Sequence, residues 1–391
     1  MRRHLRVLVV LALTQIAGWG MIGILPVIAP RVAAAFGISL SSVFLGTSAM
    51  FVAMGLAAPS AGRAFRRFGS REVMTVGAAG IGLGLCLLAL SPNLPVFLMG
   101  WVTVGLAGAL FLTTAAYAYI ASYAGEQARS LIGTLMLVTG LAGSVFWPVT
   151  AYLENLFGWR GVGLTYAAIM VLVACPLVWF GLPAIEDATD TAPAAGRLRK
   201  GRVFVLMVAA IALNSFVTFG IDAVGIQLLK AMGMDLAGAV AIASLMGVIK
   251  VGGRVIDLLG GRRWDGLSTG LVAGAMIPMG LAVIWIGGAG VISVAGYLAL
   301  FGLGSGAFAV ARATMPLVFF QKADYAAAMS TIALPMNLIN ALAPPVLAGL
   351  MSGIGAQATF AVLGGLSVTA FAILLLLNRM RGNACAGSRV S

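Results

Sequence analysis

Apolar runs long enough to cross a lipid bilayer recur from one end of this chain to the other, and nothing else in the sequence limits its fold as much. A helix needs about 20 mostly apolar residues to traverse a hydrocarbon core about 30 Å thick. Twelve such runs can be read. The first six lie near residues 7–30, 40–64, 73–92, 95–122, 130–154 and 160–182. The second six lie near 203–229, 236–258, 266–286, 289–317, 324–351 and 356–378. Backbone N–H and C=O groups cannot stay unpaired in lipid, so each run must be a helix or a strand of a closed barrel. Barrel strands alternate apolar and polar residues over short stretches. These runs are continuously apolar, so the sequence predicts an all-α membrane protein with twelve transmembrane helices.

Composition agrees. Of 391 residues 61% are hydrophobic and only 9% charged, against about 25% charged in a soluble domain. The formal net charge of +13 could suggest nucleic acid. The basic residues, however, sit in short clusters between apolar runs, and no large polar domain offers a binding face, so no nucleic-acid partner is expected. Cys86, Cys175 and Cys385 have no metal-ligand or disulfide spacing, and His4 is the one histidine. Neither a metal, nor a cofactor, nor an enzymatic site is expected, since no Ser/His/Asp set or phosphate-cradling loop can be assembled. The start, Met1 to Arg6 followed by an apolar run, imitates a signal peptide, yet the run continues to about Ala29 and is expected to be a retained first span.

One polar linker, Glu186 to Arg202, separates the sixth run from the seventh. The expected organisation is a six-helix bundle over 1–182, a linker over 183–202, a second bundle over 203–378 and a tail over 379–391. If both termini face the cytoplasm, 19 of the 24 Lys and Arg fall in cytoplasmic segments and three on the opposite side. That asymmetry fits the positive-inside rule, and predicts a multi-pass protein of the cell's inner (plasma) membrane with both ends cytoplasmic.

The two halves echo each other. After the second run the chain reads Gly62-Arg63-Ala64-Phe65-Arg66-Arg67-Phe68-Gly69-Ser70-Arg71, and after the eighth Gly253-Arg254-Val255-Ile256-Asp257-Leu258-Leu259-Gly260-Gly261-Arg262, 191 residues on. Pro148 and Pro344 form a second echo, 196 residues apart. Parallel repeats of this kind predict two pseudo-symmetric six-helix bundles.

These segments resemble the major facilitator superfamily over essentially the whole chain. Gly62 to Arg71 is similar to its signature loop, Gly-Arg-x-x-Asp-Arg-x-Gly-Arg-Arg, and Gly253 to Arg263 to the C-terminal counterpart. Leu156-Phe157-Gly158-Trp159-Arg160 resembles the Gly-Trp-Arg step before the sixth helix. The resemblance implies a secondary transporter that works by alternating access on a small-molecule substrate, as a monomer. It also implies gating roles for Gly62, Arg63, Arg66, Gly69, Arg71, Gly253, Arg254, Asp257 and Arg262. Two departures matter. Arg66 stands where the family carries an aspartate, while Asp257 is retained; and Trp101 stands where drug–proton exchangers carry an arginine. Together with the lack of an acid deep in spans one to four, the second departure weighs against a multidrug–proton antiporter.

Charges inside spans cost roughly 2.5–3.5 kcal/mol each at the centre, so each is a functional candidate. Four stand out, all in the second half: Asp222, Lys250, Arg254 and Arg312. Lys250 and Arg254 are four residues apart on one helix face, an arrangement that asks for an anion between them; alternatively Arg254 snorkels to the surface. Asp222 is either the ion-pair partner of Lys250 or Arg312, or the proton-coupling site. Gln15, Asn214, Asn337 and Asn340 are the uncharged candidates for substrate binding, with a helix–helix hydrogen-bonding role as the alternative. Pro335 through Pro344-Pro345 is expected to be locally irregular. The excess of deep positive charge points to a small organic anion, with protons as the coupling ion. The competing expectation is an efflux pump for a neutral or amphipathic toxic compound, in which the deep charges are paired and structural.

Overall fold

The computed structural model describes residues 2–124, 128–184, 201–260, 265–319 and 325–387, and among them the regular structure is helical with no strand. Fifteen α-helices follow in order. The first half holds α1 (Arg2–Ile22), α2 (Leu25–Phe36), α3 (Leu40–Phe68), α4 (Ser70–Ala89), α5 (Leu94–Phe111), α6 (Thr113–Ala124), α7 (Ala128–Thr139), α8 (Ala142–Ile169) and α9 (Cys175–Gly181). The second holds α10 (Arg202–Ala231), α11 (Leu236–Gly260), α12 (Gly266–Gly287), α13 (Val291–Thr314), α14 (Pro316–Phe319) and α15 (Tyr325–Gly387).

Among the described residues ten helical runs are long and apolar enough to cross a membrane. Two of them, Leu131–Gly181 and Leu338–Arg381, are 51 and 44 residues long. At 1.5 Å per residue the longer would reach about 75 Å, over twice the hydrocarbon thickness. Each is interrupted by a left-handed glycine: Gly158 at φ 66° and Gly355 at φ 82°. Such a φ is costly for any residue with a Cβ, and it falls at the boundaries the sequence predicts between the fifth and sixth and the eleventh and twelfth spans.

The chain forms two compact units, Met1–Ala192 with Pro344–Ala348, and Pro193–Ala343 with Gly349–Ser391. Each unit repeats the same helix-crossing device. A Cβ on Gly84 would lie 2.8 Å from the Val104 amide nitrogen, and one on Gly280, 196 residues later, 2.6 Å from the Phe301 amide nitrogen. Bare glycine lets α4 lie on α5, and α12 on α13, almost backbone to backbone.

Three features depart from the sequence-based expectation. The Gly62–Arg71 segment is not a loop: α3 runs through Phe68, and Gly69 (φ 85°) alone joins it to α4. Gly253 and Arg254, inside the eighth run as read from the sequence, lie within α11. Backbone bonding continues outward as far as the sequence allows, and arginines tolerate a helix end that emerges from the lipid. The stretch from Pro335 to Pro345 is not irregular either, because α15 keeps helical dihedrals there and leaves them only at Gly355. The proline φ near −65° is itself helical, so a proline removes a hydrogen bond without forcing the chain out of the helix. The first span, expected to be continuous, instead breaks at Gly23–Ile24, with Pro26 in the first turn of α2.

Candidate functional site

In the second unit two of the four charges set in apolar runs, Asp222 and Lys250, meet. Asp222 lies on α10 and Lys250 on α11, 28 residues away, and the ammonium pairs with the Asp222 carboxylate. An isolated charge at this depth would be strongly disfavoured, and pairing is how buried charges are retained. The two partners are not equally enclosed. The Lys250 side chain is 12% exposed and that of Asp222 42%, so the carboxylate is the open member.

Packing fixes the lysine from behind. A Cβ on Gly306 would lie 1.9 Å from the Lys250 carbonyl oxygen, and one on Gly253 2.2 Å from the Leu303 carbonyl oxygen. The small residues of α13 thus hold α11 against it at backbone distance. The Lys250 ammonium also sits 5.7 Å from the centroid of the Phe301 ring, within the range of a cation–π contact. Phe301 stacks on Tyr297 at 5.2 Å, and Tyr297 meets the edge of Phe360 at 6.1 Å. Phe301 thus backs the lysine, and Tyr297 and Phe360 are packed behind it as an aromatic wall. Sequence reading missed them, because an aromatic residue in a span carries no signal that separates site from core.

The other candidates are spread out. Arg254 is half-buried on α11, one turn beyond Lys250, and Arg312 half-buried in the last turn of α13. Asn214 lies on α10, fully buried, and among the described residues neither of its amide atoms has a hydrogen-bond partner. Asn340 is half-buried on α15. The side chains of Asn337, Arg66 and Asp257, and all of Arg262, lie outside the described residues.

In the first unit, Gln15 is fully buried and its Nε2 donates to the Phe111 carbonyl at 2.7 Å. That carbonyl ends α5, where Leu112 turns to an extended conformation (φ −75°, ψ −163°) before α6 begins. Just beyond, Trp19 donates its indole N–H to the Thr113 hydroxyl at 2.7 Å, and Trp147 donates to the Gly23 carbonyl at 3.0 Å, at the break between α1 and α2. Side chains of neighbouring helices thus take up polar groups at both breaks, as the low dielectric requires. Trp19 and Trp147 have hydrogen-bonding work besides packing.

The signature residues of this unit bond locally. Arg63 is exposed and donates to the Ser60 hydroxyl at 3.1 Å. Gly62 is half-buried within α3. Arg71 holds the Glu72 carboxylate through Nε at 3.0 Å and Nη2 at 2.6 Å, and stacks 4.7 Å from the Trp179 ring. Arg6 donates to the Phe180 carbonyl at 2.9 Å. Elsewhere in the unit Glu154, 5% exposed, pairs with the open Arg31 at 3.0 Å, joining α8 to α2. Among the described residues no group of three or more His, Cys, Asp or Glu is placed to hold a metal ion.

Comparison with known proteins gives this geometry a context. The family model of the Major Facilitator Superfamily matches residues 8–263. A triacylglyceride transporter of Mycolicibacterium smegmatis is 30% identical over 245 residues, which cover 60% of this chain. The match spans 42% of that relative's length. Among solved structures, a bacterial homolog of the human lysosomal transporter Spinster, inward-facing and occupied, superposes with a TM-score of 0.76 at 16% identity over 95% of this chain and 96% of its own. A nucleoside transporter, NupG, gives 0.78 at 12% identity over 96% and 99%. At such identities the structural likeness concerns the fold.

Proposed function

The chain belongs to the Major Facilitator Superfamily, a family of transporters, and from that premise we propose that it carries a small organic anion together with a proton. The observation that carries the reading is the Asp222–Lys250 pair, buried at the lysine and open at the carboxylate. Lys250 has one partner at a time. With Asp222 ionised, the ammonium is engaged and an incoming anion finds no free cation. A proton added to the Asp222 carboxylate neutralises it and releases Lys250, whose ammonium then binds the substrate's carboxylate or equivalent group. The pair is neutral before loading and, with one proton and one monovalent anion added, neutral after it. The loaded protein therefore moves through its cycle with no net charge added to a low-dielectric interior, where an added charge is costly. Coupling follows from the exclusion of one partner by the other and needs no further device. The same proposal has both termini on the cytoplasmic side of the inner membrane, where the loop arginines favour them, and a single chain as the working unit.

Proteoliposome uptake driven by an inward proton gradient tests this with a panel of small organic anions. Lys250→Ala lowers uptake at least tenfold. Asp222→Asn, which imitates the protonated acid, keeps anion exchange between equal pools but loses its response to the gradient. Full gradient-driven uptake in the double variant Asp222→Asn/Lys250→Met would sink the assignment.

A second reading is efflux of a neutral or amphipathic compound, with Asp222–Lys250 as a permanent strut. The likeness to a triacylglyceride transporter favours it. Under this reading the double variant keeps exporting such compounds from cells, and no anion is taken up by the unaltered protein.

A further inference from the structure

We infer that the first unit carries a recognition site for a ligand hydroxyl or N–H group, with the Gln15 side-chain oxygen as its acceptor. Three observations converge on it. The fourth span is broken at Leu112, between α5 and α6, well inside an apolar run. Irregular backbone at such depth is tolerated where it is buried in protein or lines a cavity, and transporters build binding sites at broken helices. The break is held by named donors, since Gln15 Nε2 takes the Phe111 carbonyl and Trp19 takes the Thr113 hydroxyl. The Gln15 side chain is wholly buried, and among the described residues its Oε1 has no hydrogen-bond partner.

That last point separates recognition from bracing. Holding the break requires only the N–H end of the amide. The orientation of the amide is fixed as well, because turning it over would set Oε1 against the Phe111 carbonyl with two acceptors facing each other. The oxygen left over is an acceptor in a place where an unsatisfied acceptor is costly. No donor among the described residues reaches it, and a ligand donor would satisfy it. An anionic group would be repelled by a bare amide oxygen beside a backbone carbonyl, so the matching group is a hydroxyl, amide or amine N–H. Trp19 gives its one N–H to the Thr113 hydroxyl, so it has none left for Oε1. The inference rests on the transport reading for its substrate class: the cargo is hydroxylated or N–H-bearing, not a plain alkyl acid. It does not depend on that cargo's charge.

The test measures ligand-induced thermal stabilisation of the purified full chain, with compounds in pairs that differ by one hydroxyl. Lactate and propionate form an anionic pair; a fatty ester of 1,2-propanediol and the matching propyl ester form a neutral one. In at least one pair the hydroxylated member binds the unaltered protein tenfold or more tightly, as expected when its absence leaves a buried acceptor unpaired. Gln15→Leu brings that ratio to about one while the deoxy compound still binds. Should Gln15→Leu fail to fold, Gln15→Glu serves. Its protonated acid can hold the Phe111 carbonyl and accept a ligand hydroxyl, so discrimination persists at low pH and falls as pH rises. Equal binding within every pair, or a ratio unchanged in Gln15→Leu, overturns the inference and leaves Oε1 to water. If the neutral pair discriminates and no anion binds, the anion reading fails while this one stands.

Discussion

A lysine placed in the middle of a membrane helix has to be held on every side, and the surroundings of Lys250 show how. Asp222 neutralises its charge, Phe301 faces its ammonium, and the backbone of α13 lies directly against its own carbonyl at Gly306. The last contact yields a sharp prediction. Gly306→Ala would put a methyl group 1.9 Å from the Lys250 oxygen, so the two helices must separate. Overpacking of that kind costs about 1–3 kcal/mol, and thermal unfolding in detergent should shift downward accordingly. Gly364→Ala, with open space around its new methyl group, should leave the midpoint nearly where it was. The charges of this site are legible in the sequence, because an ionisable side chain in an apolar run is exceptional whatever the fold. The aromatic wall is not, because Phe301 and Tyr297 look like any other core residues until a lysine is seen beside them.

At the scale of helices, ends and breaks decide how much the sequence reveals. The turning points are visible, since Gly158 sits in a recognisable Gly-Trp-Arg step, although its counterpart Gly355 has no such flank. The breaks at Gly23 and Leu112 leave no mark in the sequence, because hydropathy averages over them and their stabilising partners lie far along the chain. The prolines of α15 misled in the other direction, since a helical φ makes proline a poor predictor of irregular backbone when neighbouring helices supply the packing. One helix start carries a testable charge. Asp265 precedes α12, accepts from the Ser268 amide at 2.8 Å and pairs with Arg381 near the end of α15. Burial alone would raise its carboxyl, but Ser268 and Arg381 together hold it below the usual carboxylate range. A carboxylate depressed in the folded state stabilises fully above its unfolded pKa, about 3.9, and loses that contribution as pH falls through the lower folded value. Melting temperatures measured from neutral pH downward should therefore fall more steeply for the unaltered protein than for Asp265→Asn at the acid end. Parallel curves would mean that the pair contributes nothing.

For the whole molecule, the division of labour is between polar groups of different kinds. Among the described residues the unit beginning at Pro193 holds the Asp222–Lys250 and Asp265–Arg381 pairs, and the unit beginning at Met1 holds hydrogen-bonded helix breaks and an ion pair between Arg31 and Glu154 joining two of its helices. The apolar runs made the helical membrane architecture readable from residues alone, since runs of that length are a physical requirement of crossing a bilayer. The cargo was not readable, because a substrate is recognised by a few side chains whose meeting depends on the fold. The central claim is that proton and anion exchange places at Asp222–Lys250, and simultaneous recording of both fluxes tests it most directly. Proteoliposomes loaded with a pH-sensitive dye are given an organic anion with no gradient imposed. The account predicts that protons enter with the anion in the unaltered protein, and that Asp222→Asn abolishes the proton signal while anion exchange continues. Anion entry without any proton movement in the unaltered protein, or proton movement undiminished in Asp222→Asn, would contradict it.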